Sequence, residues 1–203
     1  MPVINTTAQL RALMGEPNEQ VPRKIHRDLN RQAIGFIERA PMMFLSTTDA
    51  AGQSTVSPKG DAPGFVRVLD ARTLLIPDRK GNKLLFSLQN ILANPRVAMI
   101  FVVPRTSETL RVSGRAELLD DRELCESFVE REKPALLVTR VHVTESYFHC
   151  AKAFLRSELW NPESWPAPIK ISFGEEIAQE GGLESRQIET FDAGVRGRYR
   201  TDL

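Results

Sequence analysis

Three cations and a glycine fall within Asp78-Arg79-Lys80-Gly81-Asn82-Lys83, between a predicted strand and a predicted helix start. A dianionic phosphate is bound by backbone N–H groups at a helix N-terminus, by Arg or Lys, and by backbone that can approach closely. Ser87 adds a hydroxyl one turn into that helix. The same run reads equally as a solvated basic turn, and residue types alone leave both readings open. A second segment, Ser57-Pro58-Lys59-Gly60-Asp61, ends another predicted strand, where Pro58 and Gly60 are sufficient for a tight turn. Thr109 and Arg111 project from a later strand on the face opposite Leu110 and Val112, where an ordinary exposed Arg is the competing account.

A fourth group, His149, Cys150, Lys152 and Arg156, lies in YFHCAKAFLRSELW, whose pattern predicts a helix over 147–160. Spacings of three and four put His149, Lys152 and Arg156 on one helical face, in reach of an anionic substrate or of a phosphate across a subunit interface. The alternative is a buried Cys150 beside a capping basic face. A metal or nucleophile role for the His-Cys pair is disfavoured, because adjacent helical residues diverge by roughly 100° and His26 and His142 stand alone. Trp160 and Trp165 could stack on a planar substrate, but they lie near prolines, where aromatic rings more often pack a loop onto a core, and VRGRYR at 195–200 reads as a solvated tail end. No Ser-His-Asp arrangement, Walker loop or G-x-G-x-x-G is present.

The elements that position these residues are mostly short strands. MMFLSTTD at 42–49, QSTVSPKGD at 53–61, FVRVLD at 65–70, TLLIP at 73–77, RVAMIFVVP at 96–104, ETLRVSGRAELL at 108–119 and ALLVTRVHVTES at 135–146 are apolar or alternating runs between turn signals. Connections of hairpin length exclude parallel crossovers for most pairs. Helices are predicted over 28–40, with Asp28 as N-cap or first-turn acid and Pro41 as the stop, over 82–95 with the stripe Leu84, Leu85, Leu88, Ile91 and Leu92, and over 120–132. LRALMG is one short helix ending at Gly15, and a tail punctuated by Pro and Gly follows 160.

Composition bounds the rest. A chain of 203 residues and 22.8 kDa buries a core without staples. Two cysteines exclude a disulfide framework and a four-cysteine zinc site. A net charge of +1 argues against a nucleic-acid or polybasic membrane binder. No apolar run approaches the ~20 residues of a membrane span, and the first residues lack the order of a signal peptide, so a cytoplasmic protein is expected.

The ordered set FLSTTDAAGQSTVSPKGD at 44–61, IPDRKGNKLLFSLQNILANPRVAMIF at 76–101 and ETLRVSGRAEL at 108–118 resembles the pyridoxamine 5′-phosphate oxidase-like flavoproteins. YFHCAKAFLRSELW is similar to the ending of a bacterial subgroup whose substrate is undefined. The resemblance implies a mainly β, α+β fold: a six-stranded antiparallel split β-barrel with flanking helices. It implies an N-terminal segment and helix over 1–40, a barrel domain over 41–160 and a C-terminal extension over 161–203. It also implies FMN, held at the interface of a homodimer by Ser57, Pro58, Lys59, Gly60, Ile76, Pro77, Arg79, Asn82, Lys83, Ser87, Thr109 and Arg111. Lys59 would lie near the ring's N1 and C2 carbonyl, and the strand of Thr109 and Arg111 would reach the flavin of the other subunit. His149, Lys152 and Arg156 would face the substrate or the partner subunit.

The implied activity is FMN-dependent oxidation or reduction of a small molecule, with no side chain acting as catalyst and no metal, nucleic acid or membrane involved. Two further readings are a flavin-binding redox sensor without turnover and a haem-handling split barrel with His149 as ligand. Pyridoxamine phosphate oxidases carry Arg-x-Val-Leu-Leu-Lys where this chain has SPKGDA at 57–62, and a Ser-Arg-Lys phosphate grip where it reads LFS at 85–87. Their carboxyl-terminal motif rich in Trp and Arg has no counterpart. Efficient oxidation of pyridoxamine 5′-phosphate is therefore not expected.

Overall fold

Alternating apolar residues build one sheet, strand by strand, in the computed structural model, which describes residues 1–202. Leu203, the last position of the expected extension, lies outside the described residues. Strand β1 (Met42–Thr48) turns Met43, Leu45 and Thr47 inward and leaves Met42 and Phe44 exposed. A hairpin leads into β2 (Ser54–Gly60). At its turn the Asp49 carboxylate accepts from the N–H groups of Ala51 and Gln53, each at 2.8 Å, and Gly52 takes φ 87°. β3 (Arg67–Asp70) and β4 (Thr73–Asp78) form a second hairpin, in which Asp70 accepts from the Arg72 N–H at 2.7 Å. β5 (Arg96–Val102), β6 (Thr109–Leu119) and β7 (Leu137–His149) complete an antiparallel sheet in the order β2-β1-β5-β6-β7-β4-β3. Seven strands stand where a six-stranded barrel was expected; β3, within the FVRVLD run at 65–70, adds a four-residue strand at the sheet edge.

Side chains tie β2, at one edge of the sheet, to β4, one strand from the other edge. Lys59 on β2 pairs with Asp78 on β4, and Asp61 just beyond β2 accepts from Arg79 Nε at 2.8 Å. These two ion pairs close a barrel whose edges exchange no ladder there, which is what makes the barrel split. Within it Met43, Leu45, Leu74, Ile76, Met99, Phe101, Leu110, Val112 and Val141 are fully or almost fully buried. Each such side chain contributes about 1.5–3 kcal/mol relative to exposure.

The helices depart further from expectation. α1 (Thr7–Met14) forms with a Thr6–Gln9 capping box and ends at Gly15, φ 77°, as the sequence predicts. α2 (Arg31–Ile37) is capped by Asn30, which accepts from the Ala33 N–H at 2.9 Å, so Asp28 is not the cap. α3 (Phe86–Ala93) begins four residues late, because Lys83 and Leu85 adopt left-handed φ of 64° and 58°. The expected stripe breaks accordingly: Ile91 is buried, whereas Leu84, Leu85 and Leu92 are exposed. α4 (Arg122–Glu126) is shorter than 120–132.

β7 runs on to His149 where a helix was predicted, leaving α5 only Lys152–Arg156. Tyr147, Phe148 and His149 alternate across the strand and pair with Arg111, Leu110 and Thr109, a register that aromatic rings favour. The tail is not irregular: it folds into α6 (Phe173–Gly181) and α7 (Ser185–Thr201), with VRGRYR inside the latter. Asp192 of α7 accepts from the Gly174 N–H at 3.0 Å, and that contact with Ser172 holds its carboxyl below the ordinary range.

One close approach is a stability determinant. β6 and β7 slip register between Ser113 and Gly114. A methyl at Gly114 would lie 2.5 Å from the His142 carbonyl oxygen and 2.7 Å from Val141 Cγ1. Gly114→Ala is expected to cost on the order of 1–3 kcal/mol. An unchanged denaturant midpoint would contradict this.

Candidate functional site

The split in the barrel is also where the sequence-predicted residues meet. A cavity of about 530 Å³ is lined by Ser57, Pro58, Lys59 and Gly60 from β2, by Pro77 of β4 and Arg79 just after it, by Asn82 and Lys83 from the loop into α3, and by Ser87 in the first turn of α3. That volume lies within the ~300–1,000 Å³ of small-molecule sites. Ile76 does not line it: its side chain is fully buried in the core. Thr109 and Arg111 lie away from it, on the outward face of β6.

The wall at α3 presents hydrogen-bond donors to the cavity. Asn90 donates from Nδ2 to Thr47 Oγ1 and Thr55 Oγ1 at 3.1 and 3.2 Å, fastening α3 across β1 and β2. Ser87 and Ser57 bring their hydroxyl oxygens to 2.6 Å, fastening the first turn to the strand edge. No side chain caps α3, so the N–H groups of its first turn remain for a ligand. The preceding loop is shaped by Asn82, whose Oδ1 accepts from the Leu84 N–H at 3.0 Å, and by the left-handed Lys83 and Leu85. Left-handed backbone at two bulky residues stores strain of a kind that collects at binding sites.

The cations of the cavity are arranged differently from a simple basic turn. Lys59 is held by Asp78, which also accepts from Thr139 Oγ1 at 3.3 Å. Arg79 donates Nε to Asp61 and one terminal nitrogen to the carbonyl oxygens of Phe128 and Lys133 at 2.7 and 3.2 Å. Lys80 points outward to Asp202, at 3.0 Å, and this contact lowers the Asp202 carboxyl. Lys83 makes no ion pair among the described residues. Thus Arg79 and Lys59 close the barrel, while Lys83, the Ser57–Ser87 pair and the α3 N-terminus face the cavity as donors. Asp61 and Asp78 escaped sequence reasoning because their partners lie 18 and 19 positions away, and no local pattern marks such pairs.

The expected face of His149, Lys152 and Arg156 does not form. His149 ends β7, while Lys152 and Arg156 are exposed on α5. Cys150 is exposed rather than buried. Trp160 donates to the Thr106 carbonyl at 2.9 Å and stacks on Phe154, and Trp165 donates to the Leu159 carbonyl, so both fasten the segment after β7. Burial first, then the charges of Arg111 and Lys24, holds the His149 imidazole below its ordinary range. As pH falls through the ordinary imidazole value near ~6.5, the unfolded chain takes a proton that folded His149 resists, so stability declines with acid there. His149→Gln is expected to flatten that part of the profile; an unchanged slope would contradict the assignment.

A second cavity, of about 890 Å³, opens between α2 and the ends of β5 and β6. There Phe36 and Phe148 meet Arg31, Arg39, Glu38 and Glu108. Opposite charges balance, and none of the predicted site residues lines it. Among the described residues no three His, Cys, Asp or Glu side chains are grouped to hold a metal, and no helix is long and apolar enough to cross a membrane.

The outward face of the sheet carries an apolar strip. Met42 and Phe44 of β1 stand opposite Val102 and Ile100 of β5, with Ala98 beyond. Phe44 is 39% exposed although its strand is paired on both sides, by β2 and by β5. Ala98, Ile100 and Val102 are half-buried, so Met42 and Phe44 supply most of the exposed surface of the strip.

The family model described as pyridoxamine 5′-phosphate oxidase matches residues 29–150, from just before α2 to just past β7. Among solved structures, HupZ of Group A Streptococcus is similar over 58% of this chain and 91% of its own, at 20% identity and TM-score 0.47. A candidate pyridoxamine 5′-phosphate oxidase of Lactobacillus delbrueckii is similar over 60% of this chain and 95% of its own, at 23% identity and TM-score 0.47. An FMN-binding protein of Syntrophomonas wolfei covers 57% of this chain and 87% of its own, at 10% identity and TM-score 0.43. No curated protein sequence matches the chain.

Proposed function

Because the chain belongs to the pyridoxamine 5′-phosphate oxidase family, we propose that it is a cytoplasmic, homodimeric FMN-dependent oxidoreductase acting on a small molecule. The observation that carries this reading is the uncapped first turn of α3, with Ser57, Ser87 and Lys83 beside it, on the wall of the cavity at the barrel split. Those donors fit a phosphate monoester, and the FMN phosphate would sit there. FMN, when bound, supplies a ring that accepts and gives back a hydride.

The chain's own residues bind and orient. The Arg79–Asp61 and Lys59–Asp78 pairs hold the ends of β2 and β4 together across the split, so the cavity is preformed. Pro58 and Gly60 line the cavity along the β2 edge, where the ring would lie. Lys59 acts there as half of an ion pair, so the field it offers a ring is tempered by Asp78. The apolar strip on β1 and β5 is the proposed homodimer face, and a permanent interface would bury upward of ~2,000 Å² in total. Cys125 and Cys150 are both free, which suits a reducing compartment.

The test is the chromophore that co-purifies with the protein. A flavin spectrum with FMN as the released species, and bleaching under anaerobic NAD(P)H or another donor, is expected. A Soret band would replace this reading with a haem one, and a flavin that no donor reduces would replace turnover with binding alone.

A further inference from the structure

The outward face of β6 and β7 gathers two cations, Arg111 and Lys24, around one aromatic ring. Arg111 donates to the Tyr147 hydroxyl at 2.8 Å, and its guanidinium carbon is 5.5 Å from the ring centre. Lys24 lies 5.9 Å from the same centre on the other element that reaches this face. It is carried there by the pairing of His26 with Ser146, whose two backbone hydrogen bonds measure 2.9 and 2.8 Å. The His149 ring stands 5.2 Å from the Tyr147 ring, and its Nε2 is buried without a hydrogen-bond partner. Neither Arg111 nor Lys24 makes an ion pair among the described residues, although eight ion pairs occupy other cations, Lys59, Arg79 and Arg140 included.

Two like charges around one ring oppose each other, and a buried imidazole nitrogen without a partner forfeits its hydrogen bond. Both costs vanish when an oxyanion enters. It would accept from Arg111, Lys24 and the Tyr147 hydroxyl, and from Nε2 in the tautomer that carries its proton there. We propose that Lys24, Arg111, Tyr147 and His149 form an oxyanion subsite, separate from the cavity at α3, that receives the carboxylate or phosphate of the molecule oxidised or reduced. The subsite borders the apolar strip, since Arg111 is the cross-strand neighbour of Ile100. Its role as a substrate site rests on the flavin reading above; its capacity to bind an oxyanion does not.

The experiment is a titration of the purified full-length protein with inorganic phosphate and, separately, with benzoate, following the His149 ring resonances by NMR. Saturable shifts are expected with at least one of the two, and the stronger of them identifies the oxyanion as phosphate or carboxylate. Arg111→Gln is expected to weaken that binding at least tenfold, and Lys24→Gln and Tyr147→Phe by smaller factors, each variant's fold being checked by circular dichroism. No saturable shift with either anion, or equal binding by wild type and a folded Arg111→Gln, overturns the proposal. An anion response in a protein that binds no FMN would sink the flavin reading and leave the subsite standing; FMN binding without an anion response does the reverse.

Discussion

Arg79→Ala is expected to lose on the order of 3 kcal/mol of folding stability and nearly all FMN affinity, whereas Arg196→Ala on exposed α7 loses little of either. Arg79 is the middle of a network that joins Asp61 after β2, the carbonyl of Phe128 after α4, and the carbonyl of Lys133 before β7. Its guanidinium is about one-quarter exposed and the Asp61 carboxylate less. Removing the cation leaves that carboxylate largely desolvated and unpaired, and leaves Lys59–Asp78 as the remaining ion pair across the split. Asp61→Ala should reproduce the effect from the other side, because the pair acts as one clasp. The double variant should lose less than the sum of the two. Unfolding midpoints and flavin titrations of the four proteins decide the matter. Equal FMN affinity for the Arg79 and Arg196 variants would show that the clasp does not shape the cavity.

Ile100→Glu is expected to convert a dimer into a monomer. Ile100 is central in the outward strip, opposite Phe44 on β1 and Arg111 on β6. A carboxylate forced into an apolar interface costs several kcal/mol, enough to weaken association about 1,000-fold. The barrel interior is untouched, because β5 turns Val97, Met99 and Phe101 inward and Ile100 outward. Light scattering should give twice 22.8 kDa for the wild type and 22.8 kDa for the variant, with FMN affinity falling as the shared groove is lost. A wild type already monomeric at micromolar concentration would remove the dimer from the account.

Strand positions were legible in the sequence because each rests on a local signal. Alternation set β1, β6 and most of β7, and Asp-led turns set the two hairpins. The helix positions were misread where tertiary contacts outweigh helical spacing. Leu84, Leu85 and Leu88 suggest a continuous apolar stripe, yet left-handed Lys83 and Leu85 delay α3 by a turn and thereby aim its N-terminus at the cavity. Tyr147 to His149 carry a helical pattern as well as a strand pattern, and the free edge of β6 decided between them. Of the site, the basic loop and the β2 edge were readable as separate segments. Their joining by Asp61–Arg79 and Lys59–Asp78 was not, since acids that pair with partners far along the chain look like solvated surface. The grouping of Lys24 with Tyr147 likewise depends on a single bridge between the N-terminal segment and β7.

The central claim is that the N-terminus of α3 holds the phosphate of a flavin nucleotide, and comparative titration of apoprotein with FMN and with riboflavin tests it most directly. The two ligands share the ring and the ribityl chain and differ only by the phosphate. Charge-assisted hydrogen bonds contribute about 1.5–3 kcal/mol each, so FMN should bind at least about 100-fold more tightly than riboflavin. The gap should shrink in Lys83→Ala and in Ser87→Ala. Equal affinity for FMN and riboflavin would contradict the account, because nothing in the cavity would then be holding the phosphate.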